Sequence, residues 1–202
     1  EACLAKRELP TLTPPCHQIF KAGPQHLLAE CFAKTGQNEK AEEAFKRALE
    51  IEPDSPGILH DFAHFLHRTD RSLEALQTLH SVMAKGINSE QVWHLGSFIA
   101  NTKPEFVEFA VDWTGEAIRH FPEHDGIRVL RGEALLKAGR LRDALPFFQQ
   151  SPHAQDPSAQ AAVLLCQLAE EKALTPVPAD LEKKISLEFV GWYRRHLAVQ
   201  SR

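Results

Sequence analysis

Apolar and polar positions recur with a helical period along the chain, and residues 25–53 show this pattern most clearly. Leu28, Ala29 and Phe32 are spaced three and four residues apart, so they share one face of a predicted helix. Gly36 follows, where a left-handed residue can end a helix without a Cβ clash. A second run then places apolar residues at Ala41, Phe45, Ala48 and Leu49. The segment predicts two amphipathic helices joined by a tight turn.

Charged residues cover the other face of the second predicted helix. Glu42 is spaced to pair with Lys46, and Glu43 with Arg47, one helical turn later. Pro53 closes the segment, because proline cannot continue a helix.

The same pattern returns about every 34 residues. With Ala22 as the first position, the eighth position is small in every copy: Ala29, Ala63, Ser97, Gly132 and Cys166. The twentieth position is always alanine, at Ala41, Ala75, Ala110 and Ala144. The twenty-fourth position holds Phe45, Leu79, Thr114 and Phe148. A single helix pair cannot bury both of its apolar faces, whereas stacked copies can, so the sequence predicts a helical repeat array.

This set of positions resembles the tetratricopeptide repeat, including alanine at position 27 and proline at position 32, as in Ala48 and Pro53. The resemblance implies an all-α, right-handed superhelical solenoid of antiparallel helix pairs. It is closest in residues 22–55 and 125–158. The third copy departs from the pattern, with Gly96 in place of a large residue and one extra residue between its helices.

We divide the chain on this basis. The predicted repeats span residues 22–55, 56–89, 90–124 and 125–158. Residues 1–21 are interpreted as the end of a preceding repeat plus a proline-rich linker, so that the array would continue upstream. Residues 159–202 are interpreted as a partial fifth repeat and a C-terminal capping helix. The alternative for that last helix is a docking surface made of Trp192, Tyr193, Arg194 and Arg195.

The predicted helices lie at 24–35, 38–51, 57–69, 72–85, 90–101, 104–120, 126–138 and 141–150. Pro104 suits the first turn of its helix. Pro146 predicts a kink or a short helix, because it removes a backbone hydrogen bond. Trp93 and Trp113 are predicted core residues, with an exposed Trp93 as an alternative anchor for a peptide.

Composition narrows the choice of partner and compartment. The formal net charge is −4, which gives no support for binding nucleic acid or an anionic membrane surface. No apolar run approaches the roughly 20 residues of a membrane span, and the start shows no signal segment. The four cysteines show no CxxC pairing, which favours buried free thiols and a cytoplasmic location.

The resemblance also implies a binding surface. In this family the first helices line a concave groove, and positions 2, 5, 9, 12 and 13 contact the ligand. Those positions hold His26, Glu30, Lys34, His60, His64, His67, Arg68, His94, Glu133, Lys137 and Gln167. Glu30 would repel a C-terminal carboxylate, whereas mixed charges suit an ordinary helical or extended peptide.

Histidines stand out in this set. His26, His60 and His94 take the same position in three successive copies, which predicts a ladder along the groove. His60, His64 and His67 share one helix face, a spacing able to ligate zinc or to respond to pH near 6.5. The simpler interpretation is solvated histidines that bond a peptide or water. No cysteine or carboxylate pair completes a metal site nearby, although Asp61 is adjacent in sequence, so we predict neither metal nor cofactor.

No spacing indicates a catalytic constellation, a phosphate-binding glycine loop or a serine nucleophile elbow. The leading hypothesis is a non-catalytic protein–protein interaction scaffold that binds a peptide, a partner domain or another domain of a longer parent chain. The alternative is an accessory region of a larger enzyme, such as a bacterial glycosyltransferase, that positions substrate or mediates oligomerisation. A weaker third hypothesis is a metal-dependent hydrolase built on the histidine cluster.

Overall fold

The computed structural model describes residues 21–150, and after them only residues 159, 160, 162, 163 and 166. Between residues 21 and 150 the chain forms eight α-helices, one 3-10 turn and no strand. The helices are α1 Gly23–Lys34, α2 Asn38–Ile51, α3 Pro56–Arg68, α4 Ser72–Ala84, α5 Glu90–Thr102, α6 Val107–His120, α7 Asp125–Lys137 and α8 Leu141–Gln149. The predicted all-α fold of helix pairs is confirmed.

All eight predicted helices are present, and seven of them begin and end within one residue of the prediction. The exception is α6, which we expected to begin at Pro104. Instead, a 3-10 turn covers Pro104–Phe106 and the α-helix begins at Val107. Lys103 is extended (φ −116°, ψ 130°), as expected for a residue before proline, so the chain enters through a tighter first turn. Pro146 lies inside α8, a short helix of nine residues.

Left-handed residues end the first helix of three pairs. Gly36 and Gly139 both have φ of +74°, and the residue after each donates its N–H back to the helix. In the second pair the same place is taken by Asp70, with φ of +61°. The N–H of Arg71 then donates to the Leu66 carbonyl at 2.9 Å, so the turn closes without glycine.

The chain divides into two compact units, residues 1–96 and 97–202, and the division falls within α5. In the first unit α1 packs on α2, α3 packs on α4, and both α1 and α2 contact α3. Four alanines at the predicted crossing positions have no exposed surface: Ala29, Ala41, Ala63 and Ala75. Beside them Phe45 contacts Phe62 and Phe65, with ring centroids 5.4 and 5.6 Å apart. Small residues therefore let the helices approach, and aromatic rings fill the space between them.

In the second unit α7 packs against both α6 and α8. A Cβ on Gly132 would lie 3.0 Å from the Phe148 ring and 3.1 Å from the Phe147 Cβ, so an alanine here would require its neighbours to shift by a few tenths of an ångström. Thr114, at an otherwise bulky position, is fully buried, and its hydroxyl donates to the Ala110 carbonyl at 2.6 Å.

Several side-chain predictions are settled within the described residues. The pairs Glu42–Lys46 (2.8 Å) and Glu43–Arg47 (2.5 Å) form. Trp93 and Trp113 are buried, so the alternative of an exposed Trp93 anchor is wrong. Cys31 was expected to be buried but is exposed, because it lies on the opposite side of α1 from Ala29.

Other predictions lie outside the described residues. These are the segment before residue 21, the capping helix, its alternative surface at residues 192–195, and Gln167. Among the described residues, no helix is long and apolar enough to cross a membrane.

Candidate functional site

Polar side chains from two first helices meet in the first unit. We call His26 and Glu30 of α1, with His60, Asp61 and His64 of α3, the α1/α3 polar face. His26 and Glu30 are one helical turn apart and so share one side of α1. Fully buried alanines lie next to these side chains on both helices, at Ala29 and Ala63. The close crossing made by the alanines brings the polar side chains within bonding distance of each other.

Asp61 is the centre of this face. One of its carboxylate oxygens, Oδ2, lies 2.8 Å from His26 Nε2, and the other, Oδ1, lies 2.9 Å from His60 Nδ1. The first two members of the predicted histidine ladder are thus joined through one carboxylate. His94, its third member, is half-buried on α5.

Glu30 extends the network along α1. Its Oε1 lies 3.7 Å from His26 Nε2, and its Oε2 accepts a hydrogen bond from Lys34 Nζ at 3.3 Å. All three residues predicted on α1 therefore belong to one connected set. Because these groups are half-exposed rather than buried, they can exchange their present partners for a ligand at modest cost.

The ligand atoms of His26, Glu30 and Asp61 all lie within 4.8 Å of one another. Within the described part of the chain, no other group of three histidine, cysteine or acidic side chains is this compact. The predicted cluster consisted of the three histidines of α3, whereas the compact group forms around His26, from Glu30 of its own helix and Asp61 of the next repeat.

The predicted cluster of His60, His64 and His67 does not converge in the same way. His67 Nδ1 lies 3.0 Å from the Ser72 hydroxyl at the start of α4. His64 is exposed, yet partial desolvation lowers the pKa of its imidazole, and the positive charge of Arg68 lowers that pKa further. Arg68 itself is exposed at the end of α3.

Two predicted site residues lie on α7, in the second unit. Glu133 is half-buried. Lys137 donates from Nζ to the backbone carbonyl of Asn101 at 2.6 Å, and Asn101 Nδ2 donates to the Leu130 carbonyl at 3.2 Å. The ammonium of Lys137 thus binds a carbonyl in the last turn of α5, a position where cations are favoured.

Asp61 is the one residue of the α1/α3 polar face that was not among the predicted contact positions. It occupies the sixth position of its repeat, next to a predicted contact position. A carboxylate directly after His60 was the available signal.

Comparison with known proteins gives consistent matches to one repeat family. Sequence models described as tetratricopeptide repeat match residues 32–97 and residues 115–169. A search of curated proteins found no match.

Solved structures share the fold at low identity. YrrB, described as a TPR protein with an unusual peptide-binding site, is 17% identical over 86% of this chain and 84% of its own, with a TM-score of 0.61. PilF of Pseudomonas aeruginosa is 18% identical over 75% and 68%, with a TM-score of 0.59. The MamA RS-1 ArsTM double mutant is 13% identical over 89% and 96%, with a TM-score of 0.63. At these identities the likeness extends to the fold alone.

Proposed function

Because this chain belongs to the tetratricopeptide repeat family, we propose that it is a non-catalytic interaction module that binds a peptide or a partner domain. The proposed binding surface is the side of the first helices, with the α1/α3 polar face as its centre. The other predicted contact positions, including Lys137 and Gln167, stay predictions.

The observation that carries this proposal is the bridge made by Asp61. It connects polar side chains of two successive first helices into one half-exposed surface, while the alanines beside them are buried. Such a surface offers imidazole, carboxylate and ammonium groups at short intervals. These groups pair well with the alternating N–H and C=O groups of an extended peptide, and mixed charge disfavours a strongly charged ligand.

A protein of similar fold supports the choice of ligand class. YrrB is described as having a peptide-binding site, although its sequence is only 17% identical.

We also propose a cytoplasmic location, supported by Cys31, an exposed free thiol that suits a reducing compartment.

The test is a selection of peptides from a random library against the purified chain, followed by calorimetry with the best peptide. His60→Ala removes an imidazole from the α1/α3 polar face and should weaken binding by about tenfold or more. His80→Ala is the matched control, because His80 is an exposed histidine on α4, a second helix. It should leave the affinity within about twofold.

Two results would contradict the proposal. One is a selection in which no selected peptide is displaced by the same peptide free in solution. The other is an equal effect of His60→Ala and His80→Ala, which would move the binding surface away from the first helices.

A further inference from the structure

We propose that His26, Glu30 and Asp61 form a binding site for a divalent transition-metal ion of the zinc type. His26 supplies Nε2, Glu30 supplies Oε1 and Asp61 supplies Oδ2. One imidazole nitrogen with two carboxylate oxygens is a donor set that suits zinc, cobalt and nickel. The hard ions magnesium and calcium prefer oxygen ligands alone, so the imidazole selects against them.

The distances lie close to those that an ion requires. Donors bonded at 2.0–2.2 Å to a tetrahedral ion are roughly 3.3–3.6 Å from one another. Here His26 Nε2 is 2.8 Å from Asp61 Oδ2 and 3.7 Å from Glu30 Oε1, and no pair exceeds 4.8 Å. Side-chain rotations that move each donor by roughly 1 Å would complete the site, and the helices need not shift.

The two carboxylates are already oriented by outer partners. Asp61 Oδ1 is held by His60 Nδ1 at 2.9 Å, which leaves Oδ2 toward His26. Glu30 Oε2 is held by Lys34 Nζ at 3.3 Å, which leaves Oε1 toward His26. Outer hydrogen bonds of this kind fix ligand orientation in metal sites and raise affinity. Both carboxylates thus present one oxygen to the same point beside the imidazole.

Charge and access also fit an ion. Two carboxylates and a neutral imidazole carry a charge of −2, which balances a divalent cation. The three side chains are 21%, 34% and 36% exposed, so an ion can enter from solvent. Three protein ligands leave a fourth position for water or for a donor from a ligand, as in open rather than structural zinc sites.

Calorimetric titration of the full chain with zinc chloride, and with cobalt chloride followed by visible absorption, tests this site. We expect one ion per chain, with the absorption bands of a nitrogen–oxygen cobalt site. His26→Gln and Asp61→Asn, which keep side-chain size, should each weaken zinc binding by about 100-fold or more, since even outer-partner losses cost 10–100-fold. Glu30→Gln is the third ligand variant, should either of the others fail to retain wild-type helicity by circular dichroism.

His64→Gln is the matched control. It removes an imidazole from the same helix as Asp61 without removing a proposed ligand, so binding should change by less than about threefold. Absence of saturable binding by the wild-type chain would overturn the proposal. So would undiminished binding by Asp61→Asn, or an equal loss in His64→Gln, which would assign the ion to the histidines of α3. This site does not depend on the proposed peptide function, since the titration uses the metal alone.

Discussion

The α1/α3 polar face and helix α7 of the second unit use their polar groups differently. On the α1/α3 polar face, His26, Glu30 and Asp61 bond to other side chains. On α7, Lys137 and Arg131 bond to backbone carbonyls, those of Asn101 and Val111 respectively. A side chain that satisfies a backbone carbonyl supports the fold, whereas side chains bonded to one another can exchange partners for a ligand. Lys34 and Lys137 share the thirteenth repeat position, yet Lys34 bonds to the side chain of Glu30 and Lys137 to a backbone carbonyl, so repeat position alone does not assign a role.

The pKa of Arg131 shows what it costs to pack a cationic side chain against a backbone carbonyl. Burial lowers the pKa of this guanidinium, and the nearby charge of Arg140 lowers it further. Hydrogen bonds to the Val111 carbonyl and to the Thr114 hydroxyl, the latter at 3.3 Å, compensate for lost water. We interpret Arg131 as a packing residue rather than a binding one.

The largest predicted effect concerns the helix crossing at Gly132. The first unit has alanine at the eighth repeat position, whereas the second has Gly132, whose Cβ would meet Phe148 at 3.0 Å. Gly132→Ala should lower the free energy of unfolding by about 1–2 kcal/mol, because overpacking outweighs the helix propensity gained. Denaturant unfolding measures this change.

Gly57→Ala on α3 is the matched control for that substitution. Nothing lies within 4 Å of a Cβ at Gly57, so this change should be neutral or stabilising by up to about 1 kcal/mol. If both variants were stabilised, the crossing would have more room than the structure shows.

Two lysines test the difference between side-chain and backbone partners. Lys137→Met removes a charge-assisted hydrogen bond to the Asn101 carbonyl and should lower the free energy of unfolding by about 1 kcal/mol. Lys34→Met removes only an exposed pair with Glu30, so its effect should stay below about 0.5 kcal/mol. If the two substitutions lowered the free energy of unfolding in urea equally, the hydrogen bond to the backbone would be no more stabilising than the exposed ion pair.

Replacing Asp70 by glycine should have a smaller effect on the free energy of unfolding, and one that stabilises the fold. Asp70 adopts a φ of +61°. Glycine takes the same place in the equivalent turns of two other repeats, at Gly36 and Gly139. Asp70→Gly should therefore raise the free energy of unfolding by about 0.5–1 kcal/mol, by relieving the left-handed conformation. The measurement is the denaturation midpoint. A lower midpoint would show that the aspartate side chain contributes more than the strain costs.

The turns that end the first helices show which features of the fold can be predicted from the sequence and which cannot. The period of small residues, together with Gly36, Pro53 and Gly139, predicts every helix between residues 21 and 150 to within a few residues. Asp70 could not be predicted as left-handed, because hydrogen bonds of the surrounding turn impose that conformation on a residue that does not prefer it.

The candidate site was less predictable. The family pattern indicated His26, Glu30 and His60, but it did not indicate the carboxylate of Asp61 that joins them. That contact depends on the offset between α1 and α3 and on side-chain rotamers, neither of which a repeat period contains. Lys137 stays a predicted ligand contact, but the repeat period did not indicate that its ammonium bonds to the carbonyl end of α5, where helix ends attract cations.

The smallest predicted effect compares equivalent arginines of the two units. Arg71 and Arg140 both take the sixteenth repeat position. Arg71 donates to both oxygens of Glu42 at 2.7 and 3.3 Å, whereas Arg140 reaches only one oxygen of Glu108 at 3.3 Å. Hydrogen bonds from Arg71, and then from Lys46, lower the pKa of Glu42 below its usual 4.5.

A carboxyl whose pKa is lower in the folded chain binds fewer protons there than in the unfolded chain. Its stabilising contribution is therefore complete above pH 4.5 and is lost as the pH falls through the lower folded pKa. Glu42→Gln should cost less than about 1 kcal/mol at neutral pH, and this gap should narrow as the pH falls below 4.5. Glu108→Gln, which alters an exposed and longer pair, should produce no gap at either pH. A gap for Glu42→Gln that stays constant with pH would mean that the side chain stabilises by packing, since only the charged pair requires the carboxylate to be ionised.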